Sequence, residues 1–152
     1  MKRLRDTATI DLFRDFRPQP VVARFEADEI RAASLTGRMA RAVAQTLKDD
    51  GRPREVIAAA MSEILGEAVK STMLDAYASQ GKADHRITAE RLIALVVATG
   101  DPRPLNALLA ETALVVVPAK YEPLIRREVA AEAREKLDRE IQAADAAWKA
   151  GR

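Results

Sequence analysis

The sequence predicts an all-α protein: a compact helical core with an extended N-terminal arm before it and one long C-terminal helix after it. Three observations lead there. Apolar residues recur at three- and four-residue spacing in successive segments from Leu35 onward and again through Glu122–Lys149. Glycines and prolines (Gly51, Pro53, Gly66, Gly100, Pro102) fall between those segments, where helices stop and start. The apolar residues are mostly Ala, Leu and Val, with one Trp, two Tyr and three Phe in 152 residues, a composition that suits packed helices more than a β-sandwich.

Residues 1–34 read as an arm. Arg17-Pro18-Gln19-Pro20 is not helix interior, because each proline restricts the residue before it. Phe13, Phe16, Val21, Val22 and Phe25 make the arm too apolar for a free tail, so it is expected to dock on the core or on a partner. Glu26–Ala33 is a candidate helix start.

Residues 35–112 form the core. Its first helix, about Leu35–Lys48, turns Leu35, Met39, Val43 and Leu47 inward and ends at Gly51, a left-handed cap. The second starts near Pro53, carries Ile57, Ala60, Met61, Ile64 and Leu65 inward, and stops at Gly66. The third runs about Lys70–Ser79 with Val69, Met73, Leu74 and Tyr77 inward. Thr88 caps the fourth; Ile87 and Leu92 have hydrophobic-staple spacing, and Leu92, Leu95 and Val96 face the core. Asp101-Pro102 reads as cap and first position of a short fifth helix ending near Ala110.

Residues 113–152 complete the chain. Leu114–Val117 is a β-branched run, read as a strand or extended segment. Glu122–Lys149 is one long helix, with Glu132–Lys136 and Glu135–Arg139 as expected pairs on its wet side. Its narrow apolar stripe marks Ile125, Val129, Leu137, Ile141 and Trp148 as an oligomer interface, although the heptad is irregular.

Composition removes several classes of function. With no cysteine, disulfide scaffolds and thiolate metal sites are excluded, and the single histidine, His85, excludes multi-histidine centres. No apolar run approaches the roughly 18 residues of a membrane span, and the basic start MKRLRD leads into no hydrophobic signal region, so the expected location is cytoplasmic. There is no phosphate-binding glycine loop, no HExxH and no G-x-S-x-G, and the carboxylates fall on wet helix faces beside Lys and Arg. The expectation is a non-enzymatic protein without metal or cofactor.

The segments PREVIAAAMSEILG (Pro53–Gly66) and EAVKSTMLDAYASQG (Glu67–Gly81) have the look of a helix-turn-helix, a pair that places its second helix in the DNA major groove, with a turn longer than the tightest version of that motif. Burying Val69, Leu74 and Tyr77 leaves Lys70, Ser71, Thr72 and Asp75 on the other face, groups able to reach base edges or phosphate. Arg54, Lys82 and Arg86 flank that face as candidate phosphate contacts, and Lys2, Arg3 and Arg5 as a candidate minor-groove arm. Each also has an ordinary reading as a solvated position on an amphipathic helix or tail, and His85 as a cap or surface residue. Charge argues against a strong nucleic-acid footprint: 25 basic and 23 acidic residues give +2 overall, and Leu35–Gly100 holds nine basic and eight acidic residues.

The runs REVIAAAMSEILGEAVKSTMLDAYAS and HRITAERLIALVVATGD, with the leader DLFRDFRPQPVVARFEADEIRAASL and the later LVVVPAKYEPLI, resemble the small helix-turn-helix proteins of Mu-like transposable phages and prophages, and more loosely the five-helix repressor-type fold. The resemblance spans most of the chain and implies double-stranded DNA binding in phage transcription or transposition control. It also implies one departure: Lys70 stands where that group usually has Ser or Thr opening the recognition helix. The expected protein is therefore a sequence-specific DNA-binding homodimer. The alternative is a non-enzymatic adaptor that binds another phage protein through its C-terminal helix and N-terminal arm.

Overall fold

The computed structural model describes residues 20–81 and 85–151. Among them the chain is all-helical, with six α-helices, one 3₁₀ turn and no strand. The arm residues 1–19 therefore lie outside the described residues, with Lys2, Arg3, Arg5, Phe13 and Phe16, as does Lys82.

Helix α1 (Leu35–Asp50) starts where the Ser34 hydroxyl accepts from the Gly37 N–H at 3.1 Å, and it ends at Gly51, whose φ of 72° favours glycine. It buries Met39, Ala40, Ala42, Val43, Thr46 and Leu47. Leu35, expected inward, is 46% exposed because it occupies the first position, beyond the reach of the core.

Helix α2 (Arg54–Leu65) follows Pro53 and buries Ile57, Ala58 and Met61. Ile64 was expected inward but is 45% exposed: at 100° per residue it projects about 70° from the centre of that buried face. Helix α3 (Ser71–Tyr77) is shorter than the sequence implies, with Lys70 as its cap residue and Leu74, Ala76 and Tyr77 buried.

Helix α4 (Ala89–Thr99) is capped by the Thr88 hydroxyl, as expected, and buries Leu92, Ala94 and Leu95. Helix α5 (Arg103–Leu108) begins one residue late and stops before Ala110. The Asp101 carboxylate still serves its start, accepting from the Arg103 N–H at 3.0 Å.

Val43, Leu47, Ile57, Met61, Leu74, Tyr77 and Leu95 form one core drawn from α1 to α4. A second cluster of Phe25, Ala42 and Ala107, with Ile30 against it, docks the described part of the arm. The Arg103 guanidinium lies 4.3 Å from the centre of the Phe25 ring and is itself held by Asp49 and Asp101. Glu26–Ala33 does not form the anticipated helix; a turn closes it instead, with the Glu29 N–H donating to the Glu26 carbonyl at 3.0 Å.

Buried Asn106 ties arm and linker to the core. Its amide nitrogen donates to the carbonyls of Ala23 (2.9 Å) and Val116 (3.1 Å), and its amide oxygen accepts from the Val116 N–H at 2.7 Å. Residues 114–118 are neither helix nor strand, and within the expected run Leu114–Val117 this amide, not a sheet neighbour, satisfies the backbone of Val116.

A 3₁₀ turn (Ala119–Tyr121) leads into α6 (Glu122–Ala150), whose 29 residues reach roughly 43 Å. None of α6 is buried. Its ion pairs are Arg126–Glu122 at 2.6 Å and Arg134–Asp138 at 3.8 Å, not the two expected ones; Arg139 Nε donates instead to the Glu135 carbonyl. No helix among the described residues is long and apolar enough to cross a membrane.

Candidate nucleic-acid interface

The connection from α2 to α3 is held at three points: the Gly66–Ser62 turn, Arg91 and Arg54. Gly66 (φ 69°) closes α2 by donating its N–H to the Ser62 carbonyl at 2.9 Å. The Ser62 hydroxyl donates to the Ala58 carbonyl at 2.7 Å and accepts from the Val69 N–H at 2.8 Å, so one side chain links the last turn of α2 to the approach of α3. Val69 is then buried beside Leu74 and Tyr77.

Arg91 braces the same connection from α4. It pairs with Glu67 at 2.9 Å and donates to the Tyr77 hydroxyl. Glu67 first, and Tyr77 second, raise the guanidinium pKa above its ordinary value.

Arg54, the third point, donates to the Leu47 carbonyl at 2.9 Å and meets Asp75 at 3.4 Å. It thereby joins α1, α2 and α3 through one half-buried side chain. Its guanidinium is turned to these protein groups, and a phosphate would have to compete with them.

The structure brings Lys70, Ser71, Thr72 and Asp75 together at the start of α3. Lys70 and Thr72 are exposed, Ser71 is half-buried, and Asp75 is exposed while held by Arg54. That pairing offsets part of the repulsion a carboxylate would exert on a nucleic-acid backbone. Arg86 is exposed just before α4, away from these four residues in sequence, and His85 beside it is exposed. The surface is one of short polar groups with a single exposed lysine, chemistry suited to hydrogen bonding at base edges more than to tight ionic binding. Among the described residues, no three His, Cys, Asp or Glu side chains converge to hold a metal ion.

Reading the sequence missed Ser62, Arg91 and Asn106. Ser62 lies on the flank of an apolar helix face, and Arg91 four residues before Leu95 reads as a wet-face charge. Asn106 had a usable signal: an amide in the middle of the apolar run Leu105–Leu109 requires buried hydrogen-bond partners.

In comparisons with protein-family models, curated proteins and solved structures, nothing matches the chain.

Proposed function

We propose that the chain binds double-stranded DNA sequence-specifically through the α2–α3 pair, as a homodimer joined by α6, in the cytoplasmic control of phage or prophage transcription or transposition. The phage setting rests on the sequence resemblance. The observation that carries DNA binding is the braced α2–α3 connection, which buries Val69, Leu74 and Tyr77 while leaving Lys70, Ser71 and Thr72 at the outer face of α3. The proposed contacts are Lys70, Ser71 and Thr72 to base edges or phosphate and Asp75 to cytosine, with Arg54, Lys82 and Arg86 toward phosphate.

Helix α6 supports self-association. Ile125, Val129, Leu137, Ile141 and Trp148 are between 51% and 66% exposed. Covering these side chains with a second copy would remove roughly 100 Å² each, so the three from Leu137 to Trp148 give about 600 Å² over both copies, and an interface of about 1,000 Å² needs their neighbours on α6 as well. The stripe drifts by about 140° between Ile125 and Trp148, so a straight seam cannot hold all of it. Leu137, Ile141, Ala144 and Trp148 are spaced four, three and four apart, which fits a heptad, and this half is the expected contact.

The test is fluorescence anisotropy with DNA flanking the protein's own gene and with scrambled DNA. Site-selective binding that Lys70→Ala weakens supports the reading; equal, weak binding to both DNAs removes it. The same exposed stripe, with a nearly balanced core charge, favours the second reading: an adaptor whose α6 binds a different phage protein and whose α2–α3 pair is scaffold.

A further inference from the structure

Most arginines of the core are matched to a carboxylate. Arg38 pairs with Glu111, Arg52 with Asp50, Arg54 with Asp75, Arg91 with Glu67, and Arg103 with Asp49 and Asp101. One place departs from this pattern. Arg31, Arg41 and Arg86 line a single open cleft of about 670 Å³ together with Gln80, and among the described residues none of its lining is acidic. Arg31 meets Asp28 at 3.0 Å outside the lining; Arg41 and Arg86 form no ion pair with any described residue.

Arginines that line one open space favour an anion between them, and their planar forks match phosphate oxygens. The cleft also lies close to the proposed recognition helix. Gln80 follows the end of α3 by three residues, and Arg86 lies three residues before α4. Lys70 stands at the opposite end of α3.

From this placement we infer that the cleft of Arg31, Arg41 and Arg86 holds backbone phosphate of the bound duplex, clamping it at the C-terminal end of α3 while Lys70 works at the other. The inference rests on the DNA-binding reading above and extends it to Arg31 and Arg41, two residues on the arm and α1. It also accounts for how a chain of nearly balanced charge gains phosphate affinity: the positive charge is local.

The experiment titrates the full chain, wild type and variants, with own-gene and scrambled duplexes over a salt series. Arg41→Ala is expected to weaken both duplexes by the same several-fold factor and to reduce the salt slope by about one, the signature of a lost phosphate contact. Arg86→Ala, altering an exposed side chain, gives the same readout should Arg41→Ala fail to fold. Asp28→Asn, which frees Arg31, is expected to tighten both duplexes. A wild type that binds neither duplex overturns the DNA reading and this inference with it. A wild type that binds, with Arg41→Ala and Arg86→Ala matching it in affinity and slope, overturns the cleft alone.

Discussion

Replacing Asn106 with Ala tests how the arm and the linker to α6 are held. The native amide makes three hydrogen bonds, at 2.9 and 3.1 Å as donor and 2.7 Å as acceptor, to the backbone of Ala23 and Val116. Each is worth about 0.5–1.5 kcal/mol net, and alanine leaves their partly buried partners unpaired, so the expected loss is about 3 kcal/mol. For a cooperative unit of this size that lowers Tm by roughly 10–20 °C. Urea unfolding followed by circular dichroism measures the loss, and hydrogen exchange at the Val116 amide shows whether its protection goes with it. Asn106→Asp keeps an acceptor for the Val116 N–H but turns a carboxylate toward two carbonyls, and is expected to be at least as damaging. A loss below about 1 kcal/mol with Val116 still protected would refute the claim that this amide clamps both segments.

Three further outcomes are expected. Leu74→Ala empties a fully buried site beneath α3 and costs roughly 3–5 kcal/mol in chemical denaturation; a cost under about 1 kcal/mol would mean that α3 is not packed as described. Ile141→Asp places a charge in the heptad half of α6 and yields a monomer in sedimentation equilibrium; a dimer that persists moves the interface off α6. Stability declines in acid. The Asp50 carboxyl is held below the usual carboxylate range chiefly by its side-chain hydrogen bond from Arg52, and Glu90 by its own backbone N–H and then the Thr88 hydroxyl. Both values are depressed in the folded state, so their contributions are complete above the unfolded carboxylate values near about 4 and vanish as pH falls through the folded ones. Asp50→Asn should flatten that decline, and an unchanged acid limb would dismiss Asp50 as its source.

Helical periodicity carried most of the fold. The spacing of Met39, Val43 and Leu47, of Ile57 and Met61, and of Leu92 and Leu95 named the buried face of three helices, because each face points to one core. Gly51, Gly66 and Gly100 marked the helix ends, and all three adopt positive φ. Periodicity failed at edges: Leu35 and Ile64 keep the repeat but overhang the core, and only the packing angle of neighbouring helices decides that. It also gave no warning that α5 would start after Pro102 or that Glu26–Ala33 would close as a turn, where the Asp101 and Glu29 carboxylates accept from the Arg103 and Glu26 N–H groups.

The candidate interface was legible in part. Lys70, Ser71, Thr72 and Asp75 share a surface because burying Val69, Leu74 and Tyr77 leaves them outside. Arg54 was legible as a charge near that surface, but not as a tie among three helices, because its partners Leu47 and Asp75 are set by the tertiary fold. Arg31, Arg41 and Arg86 come from segments up to 55 positions apart, and no spacing rule joins them.

The most direct test of the central claim is anisotropy of own-gene duplex against scrambled duplex across a salt series, with wild type and Lys70→Ala side by side. The account predicts preferential binding to the own-gene duplex, an affinity that falls steeply with salt, and a loss of that preference in Lys70→Ala. Weak binding of equal strength to both duplexes, unchanged by Lys70→Ala, would contradict it and leave α6 as the surface to pursue.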